Sequence, residues 1–176
     1  MSTVRLATLK DSRKIKDILF KTATWLNEKG SKQWSGLLKG EDVHNIEEAI
    51  NREEVYLVYV EDKLIGTFAL WDKQTGWDKD LWNENESRDY LYLHRIALSE
   101  DSHGKSLGKE LLNSAKQIAR DANKKGIRLD CIASNRHLNN YYQSNGFTYF
   151  KTIKNYDNGE GLQDYNLFYW KSLKNS

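Results

Sequence analysis

Apolar and polar residues recur along this chain with two different periods. The run 90–98 (YLYLHRIAL) is nearly continuous in strand-forming residues and predicts a central strand. Residues 55–60 and 64–71 predict two further strands, joined at Glu61-Asp62-Lys63 by a hairpin turn. Residues 3–7, 127–133, 147–154 and 165–173 predict the rest, the last two around a Gly159/Gly161 turn. Helical spacing takes over elsewhere. Asp11 and Ser12 offer N-cap oxygens before a stripe of Ile15, Ile18, Leu19, Ala23 and Leu26 that ends near Gly30. Residues 43–52 predict a second short helix with Ile46, Ala49 and Ile50 inward. Residues 107–123 predict a long one, striped by Leu107, Leu111, Leu112, Ala115, Ile118, Ala119 and Ala122, with Gly126 expected to close it. Residues 137–145 predict a last short helix with Leu138, Tyr141 and Tyr142 on one face and Gly146 as its stop. The order β-α-α-β-β-β-α-β-α-β-β predicts a single α/β domain over residues 1–176, a mixed sheet with helices on both sides.

Composition narrows the function. The chain has 176 residues and 20.6 kDa, room for one domain with a substantial core. Its mean hydropathy is −0.79 and it holds no long apolar run, so no membrane span or membrane partner is expected. Lysine and arginine number 27 against 25 acids, a net charge of +2 that argues against a nucleic-acid binder. Cys131 is alone, which points to a reducing, cytoplasmic setting. The stretch 72–89 carries six acids (Asp72, Asp78, Asp80, Glu84, Glu86, Asp89) with Trp77 and Trp82, and reads as a long excursion over a binding face. His44, His94, His103 and His137 lack metal-ligand spacing, so no metal and no nucleophilic triad are expected.

Chemistry concentrates between residues 93 and 112. Gly104-Lys105-Ser106-Leu107-Gly108 lies between a strand and a helix N-terminus, where unpaired amides and the helix dipole favour an anion. An ordinary helix entry explains the same pattern. A phosphate loop of the P-loop type would need a glycine where Ser99 stands, and a dinucleotide G-x-G-x-x-G is absent.

The sequence resembles the GNAT superfamily of acyl-CoA N-acyltransferases. His103-Gly104-Lys105-Ser106-Leu107-Gly108 occupies the place of that family's R/Q-x-x-G-x-G/A pyrophosphate loop, with His103 for the usual Arg or Gln and Ser106 for the middle glycine. Asn135, Tyr142 and Gly146-Phe147 match the spacing of a second family motif. The resemblance implies a twisted, mostly antiparallel sheet with one splayed strand pair. It implies acetyl-CoA as cosubstrate and a direct transfer to a primary amine, whether a small cationic amine, an amino acid or a peptide. Ile96, Ala97 and Leu98 would line the pantetheine arm. His103, Gly104, Lys105, Ser106, Leu107, Gly108 and Lys109 would hold the diphosphate, Ser106 being tolerable if its φ stays negative. Asn135 would hold the pantetheine, and Tyr142 would be the general acid to the leaving thiolate. The intrinsic pKa of His94 suits a general base, although a sheet histidine, Glu100 or a water chain serve equally.

Five of the six tryptophans precede residue 90. Gln33, Trp34 and Trp71 are the expected acceptor contacts, since tryptophan faces attract ammonium groups. The same residues also fit a core or the face of a homodimer. Two other functions compete with the enzyme: a non-catalytic acyl-CoA sensor on the same fold, and a nucleic-acid module that the near-neutral charge disfavours.

Overall fold

A computed structural model describes residues 2–28, 45–82, 88–104, 106–159 and 161–173. The chain forms two compact units, one of residues 1–70 and 94–114, the other of residues 71–93 and 115–176. Strand β4 (Tyr90–Leu98) and helix α4 (Gly108–Asp121) run through both.

The first unit contains β1 (Ser2–Leu6), α1 (Ser12–Glu28), α2 (Ile46–Asn51), β2 (Val55–Val60) and β3 (Lys63–Trp71, to Leu70), with the last part of β4 and the start of α4. Its strand order is β1-β2-β3-β4. The β1–β2 and β2–β3 ladders are antiparallel. Glu61 and Asp62 both take positive φ (50° and 66°), and Val60 faces Lys63 across the ladder. This is the primed two-residue turn whose twist matches a hairpin. The core packs Ile15, Ile18 and Leu19 of α1 and Ile46, Ala49 and Ile50 of α2 onto Leu57 and Ala97. A short turn (Leu9–Asp11) precedes α1, and Asp11 fixes it by accepting from Thr8 N–H (2.9 Å) and from both Arg5 nitrogens (2.8 and 3.0 Å).

The second unit contains the start of β4, helix α3 (Gly76–Trp82), the end of α4, β5 (Gly126–Ile132), α5 (Arg136–Ser144), β6 (Thr148–Asp157) and β7 (Leu162–Lys171). Its strand order is β4-β5-β7-β6. Tyr90–Tyr92 pair in parallel with Gly126–Arg128, while β5–β7 and β6–β7 are antiparallel. Its core is aromatic, built on Trp71, Trp82, Tyr92 and Tyr165. No described helix is long and apolar enough to cross a membrane.

Two expectations are corrected here. The acidic stretch 72–89, expected as a long excursion, contains a helix, Gly76–Trp82, that the expected element order lacks. Thr75 and Asp78 make a reciprocal cap there: Thr75 N–H and Oγ1 reach Asp78 Oδ2 (3.2 and 3.1 Å), and Asp78 N–H donates to Thr75 Oγ1 (3.3 Å). Gly126 does not close α4. Asn123 does so in the left-handed conformation (φ 59°), with Lys124 N–H bonded to Ala119 O at 2.9 Å. Gly126 instead begins β5, where an added Cβ would sit 1.9 Å from Trp170 O. A side chain there would hold β7 away from β5.

Candidate active site

In the first unit the candidate residues follow one another along β4, a loop and α4. Arg95 breaks the extended run of β4 with φ 56°, a value non-glycine residues take at a cost of about 1 to 3 kcal/mol. Strand conformation resumes through Ile96, Ala97 and Leu98, and Ser99 N–H ties the end of the strand to Ile65 O at 2.8 Å. A single 3₁₀ turn (Glu100–Ser102) follows, closed by Ser102 N–H to Ser99 O (3.0 Å) and by Ser99 Oγ to Ser102 Oγ (2.7 Å). His103, Gly104 and Ser106 are exposed beyond it. Gly104 and Ser106 have φ of 76° and 57°. The expectation of negative φ at Ser106 is therefore wrong: the backbone there is what a glycine would adopt freely. Leu107 leads into α4, which Gly108 and Lys109 open, and Glu110 N–H bonds Leu107 O at 3.0 Å. A helix N-terminus directs backbone amides and the positive end of the helix dipole toward an anion such as a diphosphate. The imidazole of His103 packs against Trp25 of α1 with ring centroids 5.4 Å apart. His94 is half-buried on β4.

In the second unit Asn135 and Tyr142 stand on one helix. Asn135 is the N-cap of α5 and accepts from Leu138 N–H at 3.0 Å. Its oxygen serves the helix, and its amide nitrogen is the end that remains for a ligand. Asn139 anchors the helix to the sheet, donating to Ile132 O (3.1 Å) and accepting from Asn166 of β7 (2.7 Å). Tyr142 follows on the inward face, 4% exposed, its ring against Phe147 and Phe168 at 5.9 and 6.0 Å. Burial pushes its pKa well above the ordinary tyrosine value, and Cys131, Tyr141 and Asp130 add to the rise. Burial likewise pushes Cys131 up to about 12, so it stays a thiol. Lys116 of α4 donates to Asn145 O at the end of α5, its ammonium lying over Phe147 and Trp170 (5.4 and 5.6 Å). That contact clamps the turn after Tyr142.

The remaining expected residues divide. Trp71 is buried in the aromatic core of the second unit. Gln33, Trp34 and Lys105 lie outside the described residues. Reading the sequence did not single out Lys116, Asn139, Asp130 or the positive φ of Arg95. For Asp130 the strand alternation was a usable signal: Arg128, Asp130 and Ile132 share the half-buried face of β5, and the other residues of the strand are buried.

Comparison with known proteins follows the same lines. The model of the acetyltransferase (GNAT) family matches residues 20–147. An uncharacterized N-acetyltransferase, YesJ of Bacillus subtilis (strain 168), is 33% identical over 162 residues, covering 92% of this chain and 86% of that protein. A GNAT-family acetyltransferase of Listeria monocytogenes 4b F2365 is 36% identical with a TM-score of 0.74, covering 97% of this chain and 95% of that one. A Bacillus subtilis acetyltransferase solved in complex with CoA shares the fold at 18% identity and a TM-score of 0.66, over 98% of this chain and 100% of that one. The matched segment contains the loop, Asn135 and Tyr142. The chain belongs to the acetyltransferase (GNAT) family, enzymes that transfer acyl groups from acyl-CoA.

Proposed function

We propose that the whole chain is one N-acetyltransferase domain that moves the acetyl group of acetyl-CoA directly to a primary amine in a ternary complex. The observation that carries this reading is Tyr142, a buried phenol on the helix that Asn135 caps. Amides of Gly104 to Lys109 hold the diphosphate, and Ile96, Ala97, Leu98 and Asn135 hold the pantetheine arm. The acceptor amine must first lose a proton, at a cost of about 4 to 5 kcal/mol at pH 7 for a lysine-like amine. His94 on β4 takes that proton as general base. The amine nitrogen then attacks the thioester carbonyl, and the strand amide near Ile96 donates to the oxygen that gains charge. The C–S bond breaks, its electron pair goes to sulfur, and the thiolate takes the Tyr142 proton. Burial raises the pKa of Tyr142, which makes it a weaker acid and favours its protonated form. No covalent enzyme intermediate is needed. The cell interior is the expected setting, with a small amine or a peptide amine as partner.

The test is a thiol-release screen of acetyl-CoA against amino acids, polyamines, aminoglycosides and peptides. Release of CoA thiol that depends on one of these amines supports the reading. Tight acetyl-CoA binding with no release for any amine favours the sensor instead.

A further inference from the structure

We propose that Trp25 is a positioning residue for the cosubstrate: its indole holds the ring of His103, and His103 in turn fixes the point from which the loop 104–109 departs. The inference rests on the reading of that loop as the diphosphate site and adds a residue of α1 to its support. Two elements pin the segment between β4 and the loop. From β3, Ile65 O accepts from Ser99 N–H at 2.8 Å and Leu64 O from Ser99 Oγ at 3.3 Å. Ser102, itself buried, shares a hydrogen bond with Ser99 Oγ at 2.7 Å. The second element is α1, where Lys21 and Trp25 stand one helical turn apart. Lys21 Nζ reaches Glu100 Oε2 at 3.4 Å. The Trp25 ring meets the His103 ring at a centroid distance of 5.4 Å and a tilt of 38°, within the range where aromatic rings attract one another. His103 N–H donates to Glu100 O at 3.4 Å, so both contacts from α1 act on the same turn.

Of the two contacts, the ring pair is the stronger. The side chains of Lys21 and Glu100 are 49% and 70% exposed, and Lys21 is shared with Asp17 at 3.3 Å. An ion pair so open to water holds a turn weakly. Ring contact depends on shape and is not screened in this way. Beyond His103 the backbone changes character: Gly104 and Ser106 are exposed and take positive φ. Their amides converge on an anion only if the chain leaves His103 in a fixed direction. A loop free to swing there would have to be ordered when CoA binds, and that cost would appear as lost affinity. His103 therefore acts through its ring on Trp25, and not as a charge on the diphosphate.

The experiment measures CoA binding by titration calorimetry in wild type, Trp25→Ala, Trp25→Phe, His103→Ala, His103→Phe and the double alanine variant. Trp25→Ala and His103→Ala are each expected to raise Kd about threefold to tenfold. The double variant should bind no more weakly than the weaker single one, because both substitutions remove the same contact. Trp25→Phe and His103→Phe keep a ring at each position and should stay within about twofold of wild type. In turnover, Trp25→Ala should raise the acetyl-CoA KM with kcat at saturation within about twofold. The His103 variants, on an exposed residue, decide the matter even if Trp25→Ala folds poorly. Unchanged CoA affinity in Trp25→Ala, additive losses in the double variant, or a His103→Phe that binds as weakly as His103→Ala overturns the inference and leaves the acetyltransferase reading standing. Wild type that binds no CoA overturns both.

Discussion

Gly66 offers the sharpest test of how the first unit holds its strands. An added Cβ there would lie 2.5 Å from the carbonyl oxygen of Ala97 on β4, and 2.9 and 3.1 Å from the two methyl groups of Leu111 on α4. Leu111 can change rotamer, but the Ala97 carbonyl belongs to a strand. To reach ordinary contact it must retreat by about 1 Å, since contacts under 3.0 Å essentially do not occur. Overpacking of this kind costs about 1 to 3 kcal/mol. Gly→Ala returns about 0.4 to 1 kcal/mol by restricting the unfolded chain. The net for Gly66→Ala is a loss of about 1 to 2 kcal/mol, which lowers Tm by roughly 2 to 8 °C for a chain of this size. Gly76→Ala is the control, because Gly76 has no atom within 4 Å of its added Cβ and opens a helix. There only the favourable effect operates, and Tm should hold or rise by up to about 4 °C. Thermal unfolding of both variants decides the matter. A Gly66→Ala protein as stable as wild type, or two variants that move together, refutes the packing argument. Because Ala97 lies on the proposed pantetheine strand, Gly66→Ala should also weaken CoA binding, whereas Gly76→Ala should not.

Two further predictions concern charge and backbone. Arg5 hydrogen bonds hold the Asp11 carboxyl far below its ordinary value, against the opposing effect of burial, with Thr8 donors assisting. A depressed carboxylate stabilises the fold above its unfolded pKa, about 3.9, and the contribution is lost as pH falls through the folded value. Asp11→Asn should therefore cost about 1 kcal/mol at pH 7, a figure kept small because Arg5 is 44% exposed, with a deficit that narrows below about pH 4. Urea melts at pH 7 and pH 3 measure it, and a constant deficit contradicts the assignment. Ser106→Gly removes about 1 kcal/mol of backbone strain while freeing the unfolded chain by a similar amount, so Tm should stay within about 2 °C. The loss of a Cβ from the loop should tighten CoA binding severalfold by calorimetry; weaker binding contradicts diphosphate contact at this loop.

The parts of the fold most legible in the sequence were those whose pattern was redundant. Val55–Val60 and Tyr90–Leu98 occur with the bounds their β-forming runs predict, because no competing helical period is present in either. The candidate loop and the α5 motif were legible because their spacing is local. Helix Gly76–Trp82 was hidden by Gly, Asp and Trp, weak helix formers, although Thr75-x-x-Asp78 is a capping box. Gly126 misled because a glycine after a helix usually ends it, whereas here tertiary packing against Trp170 demands the missing side chain. The clamp from Lys116 to Asn145 joins residues 29 apart, and the Trp77–Asp130 bond joins residues 53 apart. No periodicity encodes such pairs.

Tyr142→Phe addresses the central claim most directly. It deletes one oxygen and keeps the ring contacts with Phe147 and Phe168. Loss of a general acid lowers kcat by about 10² to 10⁴, and the predicted result is that fall with the Kd for acetyl-CoA within about twofold of wild type. An unchanged kcat, with acetyl-CoA binding intact, would contradict the role given to this phenol.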